Sequence, residues 1–366
     1  MIDTSKDFPA TRYKHCHAVG KKMQEYAKNV LKWDKYKCNA MYLLGMFHDL
    51  GYELNGDCFE HDSALCDTLK KVFNLNVEDD FLGAIKYHSE LKQDGVISPI
   101  LKLLYFADQT VDGYGNYCTY EDRLKDIEKR HGKDSRVYKA TYDLIEACKE
   151  WGFDDNVERI DPSFVIPKEN YKEENRFKHC HNVGKRMQEY AKNILNWEED
   201  KCNAMLILGM FHDIGYELNG DCFEHDKAMC DTLCCIFDID ESNPFISAIK
   251  DHSYLIDGEI SPYLQLLYFA DQTVDGAGNW CTYEERLDDI KRRHGENSRV
   301  YKETKTSVDA MKKCKMQDEV TIDRYNSCLK TPPKCVAISD NQKTSINRPL
   351  EIEKVTHKPN QNINRI

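Results

Sequence analysis

No apolar run in this 366-residue chain is long enough to cross a bilayer. The opening residues Met1-Ile2-Asp3-Thr4-Ser5-Lys6-Asp7 lack the apolar core of a secretory signal, so a cytoplasmic chain is expected. No stretch shows convincing strand alternation, which leaves an all-α fold as the expectation. Basic residues are in deficit. With 51 Lys and Arg against 63 Asp and Glu, the formal charge is −12. That balance argues against a broad nucleic-acid surface and against an anionic membrane. It leaves room for a small phosphorylated ligand, whose charge metal ions can neutralise locally. Cysteine is plentiful at 16 residues, but the spacing of a disulfide framework is missing. The cysteines fall inside helical patterns, and reduced thiols are expected.

The stretch Phe47-His48-Asp49-Leu50-Gly51-Tyr52 organises the rest. The apolar run Ala40 to Phe47 reads as a buried helix, with Gly51 as a stop signal just past its end. Neighbours on a helix point about 100° apart, so His48 and Asp49 can grip a cation from two sides. Upstream, Val19, Met23, Tyr26, Ala27, Val30 and Leu31 follow helical spacing from Arg12 to Trp33, with His15 on the same face. Residues 1–11 are expected to be loose. His61 opens a third helix, a fourth holds Phe81, Leu82 and Ile85 with His88 just after, and a fifth runs from Pro99 to about Asp108. Thr119-Tyr120-Glu121-Asp122 resembles a capping box for a charged helix, and a last helix covers about Ser135 to Trp151.

The chain then repeats. Tyr52–Asp62 is identical to Tyr216–Asp226, and Leu103–Gly113 to Leu266–Gly276. His15, His48, His61 and His88 recur 164 residues on, whereas Asp108 recurs 163 on, which places a one-residue deletion in the loop after His252. A period this long means whole domains, not a solenoid. The expected layout is a first domain at 1–153, a charged linker at 154–174, a second domain at 175–316 and a disordered tail at 317–366. A close copy within one chain also leads us to expect an intramolecular pseudo-dimer.

Each half offers six candidate metal ligands: His15, His48, Asp49, His61, His88 and Asp108, then His179, His212, Asp213, His225, His252 and Asp271. Four imidazoles and two carboxylates exceed one tetrahedral zinc and suit two ions bridged by one Asp. His-Cys-His at 15–17 and 179–181 is read as a His ligand beside a small thiol.

The order H…HD…H…H…D resembles the HD-domain metal-dependent phosphohydrolase superfamily, in its two-metal branch. The resemblance covers about 12–150 and 176–314. Arg12-Tyr-Lys-His15 and Arg176-Phe-Lys-His179 resemble that family's opening helix. Ala107-Asp108 through Arg123 to Arg130-His131-Gly132 resembles the end of its small single-domain members. It implies two tandem helical bundles. It also implies one ion on His15, His48, Asp49 and Asp108, a second on His61 and His88 with Asp49 shared, and the same in the second half. Tyr52 and Tyr216 stand where the cyclic-di-GMP phosphodiesterase branch has Lys, and no Gly-Tyr-Pro follows, which points away from cyclic dinucleotides.

The expected chemistry is hydrolysis of a phosphoester, of a nucleotide or a related small molecule, by a hydroxide that two divalent ions (Fe, Mn, Zn or Co) activate. Asp49 and Asp213 are central to it. Lys86, Lys250, Arg123, Arg286, Arg130 and Arg293 are candidate phosphate contacts because each recurs, and His131 and His294 are candidate proton donors to the leaving group. The superfamily also contains mixed-valent di-iron oxygenases with a similar ligand set, so oxygenation of a small organic substrate is an alternative. A non-catalytic nucleotide sensor is the third alternative.

Overall fold

The computed structural model describes residues 8–75, 80–92, 96–155, 171–219, 224–253, 260–316 and 318. The fold is all-α. The first half runs α1 (Phe8–Asn29), α2 (Lys35–Phe47), a 3-10 turn (Leu50–Glu53), α3 (His61–Phe73), α4 (Asp80–Lys86), α5 (Pro99–Asp108), α6 (Tyr120–His131) and α7 (Arg136–Glu150). The second half repeats the order as α8 (Tyr171–Asn193), α9 (Glu199–Phe211), α10 (Gly215–Leu218), α11 (His225–Phe237), α12 (Pro244–Asp251), α13 (Pro262–Asp271), α14 (Tyr283–His294) and α15 (Arg299–Lys313). Among the described residues the extended pairing consists of isolated bridges, Val111 with Tyr117 and Val274 with Trp280.

Local chemistry sets the helix starts. Ser98 and Ser261 accept a hydrogen bond from the third residue of α5 and α13, and Pro99 and Pro262 occupy the first turn, where a missing N–H has no cost. The expected capping box is complete in α14, where Thr282 and Glu285 bond reciprocally; in α6, Asp122 stands at the equivalent position and Thr119 caps its N–H. Two expectations shift. The first helix begins at Phe8, inside the stretch expected to be loose, with Pro9 in its first turn. Helix α8 begins at Tyr171, inside the expected linker. The rest of that linker from 156, the deletion after His252 and the tail at 317–366 apart from Asp318 lie outside the described residues.

Close approach at glycine brings the site helices together. A Cβ on Gly45 of α2 would lie 2.4 Å from the backbone of Gly20 on α1, and one on Gly209 would meet Gly184 at the same distance. Bare backbone at this crossing lets α1, which carries His15, lie directly on α2, which delivers His48. Gly51 also acts by close approach. It is not in the left-handed conformation of a helix stop, and a Cβ there would fall 1.8 Å from the carbonyl oxygen of His61. The turn after the His-Asp pair is thus pressed against the start of α3.

One contiguous core of buried residues spans both halves. Equivalent aromatics meet across the seam: Phe47 stacks on Phe211 with centroids 4.0 Å apart, Tyr13 on Phe177 at 4.2 Å and Phe73 on Phe237 at 4.7 Å. Contact between like positions is the signature of two-fold packing.

Adding a methyl at the crossing forces the backbones apart. Gly45→Ala and Gly209→Ala are each expected to cost about 1–3 kcal/mol, read as a lower denaturant midpoint. An unchanged midpoint in both would contradict the crossing.

Candidate metal centre

The six candidates of the first half converge although they come from five separate places in the chain. His15 lies on the inner face of α1. His48 caps the C-terminus of α2, followed by Asp49. His61 is the first residue of α3, His88 follows the end of α4, and Asp108 is the last residue of α5. His15 Nε2 is 2.9 Å from Asp108 Oδ1, and His48 Nε2 lies 3.9 Å from that oxygen and 3.6 Å from Asp49 Oδ1. Asp49 Oδ1 is 3.2 Å from His61 Nε2 and 3.3 Å from His88 Nε2, and these two nitrogens are 3.1 Å apart. Two groups of potential ligand atoms result, His15-His48-Asp108 and Asp49-His61-His88, and the adjacent His-Asp pair joins them. The second half has the same shape: His179 to Asp271 is 2.9 Å, His212 to Asp213 is 3.6 Å, and His225 and His252 lie 3.2 and 3.3 Å from Asp213.

The other ring nitrogens explain why the Nε2 atoms face inward. Nδ1 of His15 donates to the carbonyl of Asp112, that of His48 to Gly45, that of His61 to Asp57 and that of His88 to Ile85. A carbonyl can only accept, so Nδ1 carries a proton and Nε2 is the nitrogen turned toward the cluster. His179, His212 and His252 are anchored likewise by the carbonyls of Asp275, Gly209 and Ile249. Nε2 of both His48 and His212 is buried with no hydrogen-bond partner. A buried lone pair without a donor carries a desolvation cost, which a cation at that point would remove. The donor set of imidazoles and carboxylates therefore fits divalent metal.

The electrostatics agree. Burial pushes the His48 imidazole down to about 4, so it stays neutral and able to ligate. Burial would raise the Asp49 and Asp108 carboxyls, but neighbouring imidazoles hold both below the usual range, with Arg123 adding to the effect at Asp108. His88 and His252 go the other way. Burial would lower them, but the hydrogen bonds they donate to Asp49 and Asp213 and the charges of Asp62 and Asp226 outweigh it and raise them. Cys16 lies beside His48 and Asp49, with its sulfur within 4.8 Å of their ligand atoms. Burial and the Asp49 charge push its thiol up, so it is a neutral wall of the site.

The remaining candidates divide. Arg123 is buried, with Nη2 3.5 Å from Asp108 Oδ1, and Arg286 stands 3.4 Å from Asp271; both leave the solvated face expected of a charged helix. Arg130 and Arg293 are held by Asp126 and Asp289 one turn back on their own helices. His131 and His294 are exposed at the ends of α6 and α14. Lys86 lies over the Tyr87 ring, and Lys250 pairs with Glu241.

Sequence reasoning missed three contributors. Gln109 and Gln272 donate to the second oxygen of Asp108 and Asp271 at 2.7 Å. Tyr52 stacks on His61 at 3.7 Å and Tyr216 on His225 at 3.8 Å. Asp62 and Asp226, buried at 4% and 2% exposure, face the Nδ1 side of the paired imidazoles. Asp226 is 3.1 Å from His225 and 4.0 Å from His252, and Asp62 is 3.7 and 3.9 Å from His61 and His88. The signal was available: His61-Asp62 is a second His-Asp dipeptide inside the identical segment.

Comparison with known families gives one match. The HD domain family model matches residues 176–274, a stretch that contains all six candidate ligands of the second half. HD domains are in general metal-dependent phosphohydrolases that bind divalent ions. No curated protein and no solved structure matches the chain.

Two outcomes follow from the charges around His88. An ion bound there must displace the raised imidazole's proton, so affinity should climb with pH, by up to about tenfold per unit, until that proton is lost. Calorimetry in buffers of different ionisation enthalpy should find proton release at pH 7, and none would contradict the assignment. Asp62→Asn with Asp226→Asn should weaken binding of the ion on the paired histidines by about 10–100-fold. An unaltered metal titration would reduce the two carboxylates to bystanders.

Proposed function

We propose, from the HD domain at residues 176–274 and the matching arrangement in the first half, that this protein is a phosphohydrolase with a dinuclear centre in each half. Its substrate is a phosphoester of a nucleotide or a related small phosphorylated molecule. The observation that carries the reading is the pair of adjoining ligand groups joined by His48-Asp49, with the imidazoles tautomerically fixed to present Nε2. His15, His48, Asp49 and Asp108 would hold one ion, and His61 and His88, with Asp49 shared, the other. Their equivalents from His179 to Asp271 would do the same. Bound there, the ions supply Lewis acidity and a water acidic enough to act as nucleophile near neutral pH.

The chain's own residues have narrower tasks. The carbonyl anchors keep the imidazoles from rotating, so no reorganisation is needed when substrate arrives. Arg123 and Arg286 add fixed positive charge beside Asp108 and Asp271, where an anionic substrate gains most from it. The reading leans on these two arginines rather than on Arg130 and Arg293, which are already engaged. Cys16, buried and protonated, offers no competing nucleophile. The halves act together as an intramolecular pseudo-dimer in the cytoplasm.

The test is phosphate release from mono-, di- and cyclic nucleotides with Mn, Co, Zn or Fe supplied. Asp49→Ala with Asp213→Ala should lose bound metal and cut turnover by more than about a hundredfold. Equal hydrolysis by the metal-loaded parent and this variant would end the proposal, as would iron-only turnover that consumes dioxygen and releases no phosphate.

A further inference from the structure

Each half has a glutamate directly after the tyrosine that covers a candidate ligand, and each glutamate reaches across the seam. In the first half the Arg12 guanidinium lies 4.1 Å from the centre of the Tyr52 ring, the ring stacked on His61. Arg12 also faces Glu53, with Nη1 3.6 Å from Oε1. The other oxygen of Glu53 accepts from His181 Nε2 at 3.0 Å and from Lys185 Nζ at 3.1 Å, both on α8 of the second half. His179, a candidate ligand of the second centre, lies two positions before His181 on the same helix.

The reciprocal path starts from Tyr216 on His225. Arg176 lies 4.4 Å from the Tyr216 centroid and 2.9 Å from Glu217, whose second oxygen is 3.5 Å from His17 and 3.8 Å from Lys21 on α1. That helix carries His15.

We propose that Glu53 and Glu217 are positioning residues acting in trans: each braces the ring behind a ligand of its own centre and ties it to the helix that aims a ligand of the other. The two centres are then mechanically linked, and each glutamate supports ion affinity in the opposite half. The inference rests on the two-centre metal reading above.

Three features support a transmitted effect over a passive contact. First, the path is continuous, from ligand ring to aromatic ring to guanidinium to carboxylate to the facing helix. Arg12, Glu53, Arg176 and Glu217 also line one common cavity at the seam, so the two paths face each other across it. Second, the charge is fixed. Burial would raise the Glu53 carboxyl, but His181 and Lys185 override that and hold it at about 2, so it is ionised throughout the neutral range. Third, the two straps differ in emphasis. Glu53 is bound more closely to the opposite half than to Arg12, whereas Glu217 is bound more closely to its own Arg176. Coupling should run more strongly through Glu53.

The experiment reads each centre separately in the full chain. His48→Ala with Asp49→Ala leaves only the second centre able to bind, and His212→Ala with Asp213→Ala leaves only the first. Adding Glu53→Gln to the first background should weaken Mn2+ binding at the second centre about tenfold, with helicity and melting temperature retained. Adding Glu217→Gln to the other background should give a smaller loss at the first centre. Lys185→Met, which spares the carboxylate, provides a milder form of the same loss should Glu53→Gln not fold. Unchanged Mn2+ affinity at the second centre in Glu53→Gln and in Lys185→Met would overturn the proposal. The readout is ion binding, so a protein that binds Mn2+ but hydrolyses nothing would end the hydrolase reading alone. A parent chain that takes up no ion would end both.

Discussion

Each imidazole of the cluster has two nitrogens, and the fold commits one of them. With Nδ1 bonded to the carbonyls of Asp112, Gly45, Asp57 and Ile85, four Nε2 atoms are turned toward one small volume, where they meet two carboxylates. Without a cation this is an unfavourable assembly. His48 is fully buried with Nε2 unsatisfied, and His61 and His88 approach nitrogen to nitrogen. Several helix ends are thus arranged to bury polar groups together at one point. The placement is over-determined by the surrounding packing, which is the core around each site.

That over-determination has identifiable parts. The Gly20–Gly45 crossing sets the distance between the helix with His15 and the helix ending in His48. Gly51 lets the carbonyl of His61 close on the turn after Asp49. Pro99 and Ser98 fix where α5 begins, and ten residues later its end delivers Asp108. Each is a local rule, and together they bring residues distant in sequence within hydrogen-bonding range. The surrounding shell follows the same economy. Gln109 and Arg123 hold the oxygens of Asp108, Tyr52 covers His61, and Asp62 stands behind the paired imidazoles.

Duplication adds a further constraint. The seam joins Phe47 to Phe211 and Tyr13 to Phe177 directly behind the two sites, so the wall of one centre is also the wall of the other. The carboxylates of Glu53 and Glu217 then cross that wall. A chain of net charge −12 nevertheless buries two cationic side chains, Arg123 and Arg286, beside the carboxylates of Asp108 and Asp271.

The sequence by itself determined the helical class, most helix starts, the repeat and the twelve candidate ligands. Periodicity, caps and the order of His and Asp are local or countable properties, and local chemistry governs them. It could not determine which cations reach the site. Arg123 and Arg130 lie on the same charged helix, yet Arg123 turns inward to Asp108 while Arg130 stays with Asp126. The choice depends on which face of α6 turns toward Asp108 at the end of α5, which is a tertiary fact. The same reason hid Asp62: a carboxylate next to His61 is unremarkable until the fold buries it against a second imidazole, that of His88. The reach of Glu53 to His181 was equally invisible, because pairing between the halves depends on a seam that only three-dimensional packing creates.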